Sequence, residues 1–393
     1  MTVPSLHIVT TVPQSMYTLL ANQPRQLSHL FDVTLVASPG ADLEASGVRE
    51  EVRTHAVRMT RRISPLADLQ AIWWLYRWFR QERPEIVQSY TPKAGLLAMT
   101  AARLAQVPVR VHGIVGMPLM EARGWRRNLL AATERITYAM ATHLTCNSTG
   151  LRTWVTKHLS AKRVITVVGQ GSINGVDLEH FSPARADVRQ AERVRLGIAS
   201  DATVFVFLGR LVRAKGVEEL LQAFDVLRQA RDDVMLLLVG DQEAALDPLS
   251  AAAVERLSAG AGVIQLGWRD DVRPLLAAAD VCVLPSYREG LPNTLLEAAA
   301  SGLPALASDI NGCNEVIEHG RTGILVPAKD AQALYDGLVI LLDPATRRAM
   351  GEAARERVAA RYDHQGFCRA LIAWYVEALD SAHVPVDRLS QSR

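Results

Sequence analysis

Pro285-Ser-Tyr-Arg-Glu-Gly-Leu-Pro-Asn-Thr-Leu-Leu-Glu-Ala298 decides how the rest of this 393-residue chain is read. It follows a short apolar run, Val281–Leu284, of the length of a buried strand. It precedes an Ala/Leu run, Leu295–Ala300, that predicts a helix. Arg288, Glu289 and Gly290 therefore fall on a loop at the carboxyl end of a strand, where open α/β sheets take their ligands. Pro292 and Asn293 suit a helix start, as does Thr294. The backbone N–H groups of that first turn make an anion site. Two carboxylates frame the stretch, Glu289 in the loop and Glu297 in the helix. Acids beside an anion site suit a ligand that carries hydroxyl groups as well as phosphate.

Outward from this stretch, strand-length apolar runs alternate with helical segments. In the first half the strands are read at Leu6–Thr10, Asp32–Ala37, weakly at Val52–Val57, and at Ile86–Ser89, Val109–His112 and Leu144–Asn147. Helices are read at Tyr17–Leu30, broken or delayed by Pro24, and at Leu66–Arg80, Gly95–Ala105 and Arg127–Ala141. The second half restarts the pattern with Val204–Leu208, Val234–Val239, Val263–Leu266 and Pro304–Ala307. Alternation of this kind predicts parallel sheets with helices on both faces. The turn-rich segment from Gly171 to Pro183 is the expected seam. The expectation is two open α/β domains facing each other across a cleft, with ligands at the strand ends that line it.

Composition sets the class. With 49% apolar and 21% charged residues, the chain reads as globular. No apolar run reaches the roughly 18 residues of a membrane helix. The first residues lack a signal-peptide plan, because Leu6–Val9 has no basic segment before it. The four cysteines are scattered without metal-ligand spacing, as expected of free thiols in a reducing cytoplasm. Net charge is +2, but residues 1–170 hold 20 basic and 10 acidic residues, and the remainder 23 and 31. Two readings of that asymmetry stand: an acidic partner for the first half, or the chance bias of an Arg-rich composition.

The loop Gly209-Arg-Leu-Val-Arg-Ala-Lys-Gly216 ends the strand Val204–Leu208. Arg210 and Lys215 suit a diphosphate, one as a planar fork of donors and one as a mobile point charge. A surface turn with solvated charges is the competing reading. Its glycine spacing fits neither a Walker A loop nor a dinucleotide fingerprint.

Taken together, the motifs resemble the retaining nucleotide-sugar glycosyltransferases of the GT-B fold, family 4. The resemblance rests on Gly209-Arg210 with Lys215-Gly216, Val239-Gly240-Asp241, and Arg288-Glu289-Gly290 with Glu297. It rests also on Ser172-Ile-Asn-Gly-Val-Asp177 and on Asn314-Glu315 followed by Gly320 to Pro327. Thr91-Pro-Lys-Ala-Gly95 and His112-Gly113 extend it to the first half and point to the subgroup that acts on polyprenyl-diphosphate glycans. The resemblance implies an acceptor-binding domain over 1–172 and a nucleotide-sugar-binding domain over 173–370. It implies that 371–393 forms a helix returning to the first domain, and a tail.

It further implies that Arg210 and Lys215 hold the donor diphosphate, Glu297 the ribose and Glu289 the donor sugar. Gly290, Leu291, Asn293, Thr294 and Leu295 would line the phosphate and sugar, and His112 would lie across the cleft near the leaving oxygen. The implied reaction moves a hexose or N-acetylhexosamine to a lipid-linked acceptor in bacterial glycan assembly. The alternatives are a soluble acceptor, or a non-catalytic scaffold that binds nucleotide sugars. A UDP-sugar is favoured over a GDP-sugar. No cofactor, nucleic acid or metal is expected; the chain has no Asp-x-Asp. The expected location is cytoplasmic, peripheral on the inner membrane face.

Ala71-Ile-Trp-Trp-Leu-Tyr-Arg-Trp-Phe-Arg80 reads either as a core helix or as an interfacial one. Lys93, Arg123, Arg126 and Arg127, with Trp125, are candidates for acceptor or membrane contact; Lys93 reads equally as a solvated loop charge. Thr10-Thr-Val-Pro-Gln-Ser15, after the first strand, lacks the glycines common at that place in the family. Ser15 or the Thr10 and Thr11 hydroxyls are the expected substitutes.

Overall fold

The apolar runs of the first half form seven parallel strands: β1 (Ser5–Val9), β2 (Asp32–Ala37), β3 (Arg53–Ala56), β4 (Ile86–Ser89), β5 (Val109–Ile114), β6 (His143–Cys146) and β7 (Ile165–Val167). Their spatial order is β3-β2-β1-β4-β5-β6-β7. The computed structural model describes residues 3–60, 64–120, 122–159, 162–243, 247–259 and 261–385. β1 sits between β2 and β4, with Ile8 opposite Leu35 and Gln88. The chain first winds outward through β2 and β3, then returns past β1 to β4. That reversal puts a topological switch point between β1 and β4.

The second half repeats the plan with six parallel strands. These are β8 (Thr203–Leu208), β9 (Val234–Val239), β10 (Val263–Gly267), β11 (Val281–Leu284), β12 (Ala305–Ser308) and β13 (Gly323–Val326). The order β10-β9-β8-β11-β12-β13 places its switch point between β8 and β11. Consecutive residues Val204, Phe205, Val206 and Phe207 are all fully buried. A strand with period-two side chains can bury every residue only when helices cover both faces of the sheet. Truncating a fully buried strand residue, for example Leu238→Ala in β9, is expected to cost roughly 2–5 kcal/mol.

Two compact units result. One comprises residues 1–174 with 365–393, the other Gly175–His364. The first unit has a core on each side of its sheet. On one side Leu75, Phe79, Leu97 and Ala101 pack with Val87 and Val36. On the other, Leu371, Tyr375 and Leu379 of the last helix pack with Leu6, Ile8 and Phe31. That helix runs His364–Ser381, and residues 386–393 of the expected tail lie outside the described residues.

One reading needs correction. The helix expected over Tyr17–Leu30 is two helices, Pro13–Leu19 and Gln23–Ser28. Pro13 and Pro24 each occupy a first-turn position, where a missing N–H costs nothing, and Asn22 between the helices is left-handed at φ 66°. The loop after β1 therefore shrinks to Thr10–Val12, and Ser15 is helical.

Candidate active site

In the second unit the loops after β8 and β11 leave neighbouring strands at the switch point, and they are locked together. Tyr287 N–H donates to the Ala214 carbonyl at 2.9 Å, and the Tyr287 hydroxyl donates to Glu219 Oε1 at 2.6 Å. Glycine makes the approach possible. A Cβ on Gly216, at φ +68°, would stand 2.1 Å from the Pro285 carbonyl oxygen. One on Gly312, at φ +83°, would stand 2.2 Å from the carbonyl oxygen of Gly290. No side chain fits at either distance, and both conformations are left-handed.

This rim collects opposed charges. Lys215 Nζ lies 2.5 Å from Glu289 Oε1, both largely shielded from solvent. The Arg210 guanidinium pairs with Glu243. Beneath them Ser286 Oγ and Glu219 Oε2 are buried without a hydrogen-bond partner. Orphaned polar atoms cost stability, and they cluster where a site answers to a ligand rather than to the fold.

The helix after this loop runs Asn293–Ala300, with Pro292 as its N-cap. The Thr294 hydroxyl donates to the Leu208 carbonyl at 3.4 Å, which ties the helix start to the end of β8. Leu295 N–H is turned inward to the Pro292 carbonyl at 3.1 Å. Asn293 and Thr294 remain as the first-turn amides without intrahelical acceptors. Gly290 and Leu291 are buried, and Asn293 and Thr294 half-buried. One helical turn on, Glu297 is partly exposed yet densely surrounded, and the loss of hydration pushes its carboxyl up to about 7. Cations, helix amides and two acids of different character thus share one strand-end rim.

The other candidates belong to the first unit. His112 lies within β5, is 2% exposed, and sets Nδ1 2.9 Å from Ser89 Oγ. Its ring packs on Gly95, where a Cβ would fall 2.4 Å from Cε1. Burial pushes the imidazole down to about 4, so it is neutral at physiological pH. Lys93 is not a solvated loop charge: it sits in the helix Pro92–Leu104 and pairs with Asp68 at 2.6 Å, both mostly buried. The Thr10 and Thr11 hydroxyls are also committed within the chain. Thr10 donates to the Val12 carbonyl at 2.9 Å, and Thr11 shares a 2.7 Å bond with Thr91 across the switch point. Arg123 and Arg126 are exposed at the start of the helix Gly124–Met140, and Arg127 is half-buried with a 3.4 Å contact to the Leu119 carbonyl.

Sequence reading missed Glu243 and Glu219. Glu243 follows Gly240-Asp241 at the end of β9, and Glu219 follows Lys215-Gly216 at the start of the helix Val217–Ala230; a glycine just before each acid is the signal that marks them.

Residues 202–344 match the family described as Glycosyl transferases group 1, and residues 18–171 the Glycosyl transferase 4-like domain. A UDP-Gal:alpha-D-GlcNAc-diphosphoundecaprenol alpha-1,3-galactosyltransferase of Escherichia coli is 30% identical over 360 residues, covering 90% of each chain. The chain belongs to the family 4 glycosyltransferases. The capsular polysaccharide biosynthesis glycosyltransferase CapM of Staphylococcus aureus is 29% identical to this glycosyltransferase over 346 residues, 88% of this chain and 89% of CapM. Solved structures agree on the fold. Sucrose-phosphate synthase from Thermosynechococcus elongatus superposes with a TM-score of 0.79 at 19% identity, covering 96% of this chain and all of that one. Anabaena Alr3699/HepE in complex with UDP and glucose gives 0.77 at 18%, with the same coverage. The glycosyltransferase thus has the GT-B fold, with two parallel-sheet domains.

Proposed function

We propose that this glycosyltransferase moves a hexose or N-acetylhexosamine, with retention, from a nucleotide sugar to a polyprenyl-diphosphate-linked glycan. The donor, a UDP-sugar in preference to a GDP-sugar, is held by the second unit, and the acceptor is taken by the first. The enzyme works peripherally at the cytoplasmic membrane face. The observation that carries the donor assignment is the convergence of Arg210, Lys215 and the Asn293 helix start with Glu289 and Glu297 at the β8/β11 switch point.

In this reading Arg210, Lys215 and the helix amides stabilise charge that grows on the leaving diphosphate. Glu289 meets the sugar hydroxyls, and Glu297 accepts from the ribose. The bond from the anomeric carbon to the phosphate oxygen breaks as the acceptor oxygen bonds to that carbon on the same face. The acceptor's proton passes to the departing phosphate. His112, neutral, hydrogen-bonds the sugar.

Support for a lipid-linked acceptor comes from the relatives that align over about nine-tenths of the chain, one named for a diphosphoundecaprenol substrate. A second reading, a soluble acceptor, is favoured by other relatives. A D-inositol 3-phosphate glycosyltransferase of Pseudarthrobacter chlorophenolicus is 35% identical over 232 residues, half of that protein.

Incubation with a panel of nucleotide sugars, followed by release of nucleotide, tests the donor. Adding either a polyprenyl-diphosphate sugar or inositol phosphate then tests the acceptor. Inertness towards every donor overturns the proposal. Faster release with the soluble acceptor alone overturns the lipid-linked half of it.

A further inference from the structure

The long aromatic helix is core on one side only. In Pro65–Glu82 the residues Ala71, Leu75 and Phe79 are buried, a four-residue repeat facing the sheet. The opposite stripe leaves large apolar groups in water: Leu66 is 83% exposed, Leu69 64%, Trp73 47% and Trp74 54%. Arg77 lies over the Trp73 ring at 4.9 Å, and Arg80 continues the stripe into solvent. Scattered single exposed apolar residues need no explanation, but a run of four on one helix does.

The neighbouring helices extend this surface. Pro65–Glu82 packs on Pro92–Leu104, which packs on Gly124–Met140, so the three form one layer over the sheet. Each crosses between parallel strands, so the three run in the same direction, with their N-termini at the carboxyl ends of the strands. Leu66, Leu69 and Trp125, the last 73% exposed, thus lie towards the same end of the sheet.

Charge on this layer has one sign. Its acids are Asp68, Glu82 and Glu134. Asp68 is spent on Lys93, Glu82 faces Arg53 at 3.4 Å, and Glu134 is buried, its carboxyl pushed up to about 7 by lost hydration. Arg77, Arg80, Arg103, Arg123, Arg126 and Arg135 are all exposed.

We propose that this helical layer seats the first unit on an anionic lipid bilayer, with Leu66, Leu69, Trp73, Trp74 and Trp125 entering the headgroup boundary and the arginines meeting lipid phosphate. Trp and Arg together are the residues that settle at that depth. A protein partner would be matched by apolar contact, but it would not call for a layer stripped of free carboxylates. An anionic surface does, because each basic residue near it adds attraction while an acid subtracts it. No helix among the described residues is long and apolar enough to cross a membrane, so attachment by a surface is the mode available to them. The proposal gives the lipid-linked reading a surface, yet vesicle binding requires neither donor nor acceptor, so the two fail separately.

The test is sedimentation of the full chain with vesicles of phosphatidylcholine containing phosphatidylglycerol, and with phosphatidylcholine alone. Binding is expected to the first and not the second, and to weaken with salt. W73S/W74S and R77E/R80E are each expected to lower binding on the order of tenfold. Thermal midpoints check that each variant is folded at the assay temperature; if W73S/W74S fails to fold, W125S, at a side chain 73% exposed, replaces it. Equal recovery with both vesicle types, or variants that bind as the parent does, overturns the proposal. So does a concentration-dependent dimer abolished by W73S/W74S without vesicle binding, which would mean that a second copy covers the face.

Discussion

Lys215 Nζ stands 2.5 Å from Glu289 Oε1, an ion pair that joins the two loops of the switch point. A diphosphate that takes Lys215 must share it with, or win it from, Glu289. Glu289→Gln is therefore expected to leave donor binding at least as tight while lowering kcat on the order of 100-fold, because in the proposed reaction the acid acts on the sugar as charge develops. Initial rates over a donor series separate the two effects. Intact-mass spectra should show no sugar attached to the protein, and a trapped adduct would sink the same-face displacement.

In the proposed donor site Arg210, Lys215 and a helix N-terminus would supply positive charge where other enzymes place a divalent ion. Activity is expected to persist in excess EDTA. A strict requirement for Mn²⁺ or Mg²⁺, restored on addition, would show that these side chains are not sufficient.

Glu297 gives a pH signature. Its carboxyl titrates at about 7 in the fold, against an ordinary 4.5. Between those values the folded chain keeps a proton that the unfolded chain has released, so stability falls as pH rises through the window. Glu297→Gln escapes this loss. In urea unfolding without donor, it should match the parent below pH 4.5 and exceed it by at most about 3 kcal/mol above pH 7. A difference independent of pH would refute the assignment.

His112 has the opposite sign. Burial lowers its pKa to about 4, so the folded chain refuses a proton that the unfolded chain takes up. Its contribution to stability is complete above pH 6.5 and is lost as pH falls through 4. Around neutral pH its imidazole is uncharged. The kcat profile of the parent should then show no step near pH 6.5 that disappears in His112→Gln. Such a step would place a charged imidazole in the reaction.

The fold was legible because parallel strands covered on both faces read as unbroken apolar runs, such as Val234–Val239. Gly216 was legible too, within the basic loop that follows β8; Gly312, whose close approach depends on the fold, was not. Pairings far apart in the chain were not. Nothing local joins Lys93 to Asp68, or Arg210 to Glu243, and charge alone left Lys93 looking solvated. The aromatic helix was undecidable for a different reason. Composition cannot say that Trp73 and Trp74 face water while Leu75 and Phe79 do not; only the helical phase against the sheet does.

The last helix has a consequence for synthesis. Tyr375 and Leu379 complete a core begun by Leu6 and Ile8, and the Tyr375 hydroxyl donates to Gln88 at 3.2 Å. On the ribosome the amino-terminal sheet emerges first, yet one of its faces, shared with Met16, Leu27 and Leu43, stays incomplete until Leu371, Tyr375 and Leu379 follow. The second unit, Gly175–His364, is made whole before that segment is reached. The half made first is thus the half finished last.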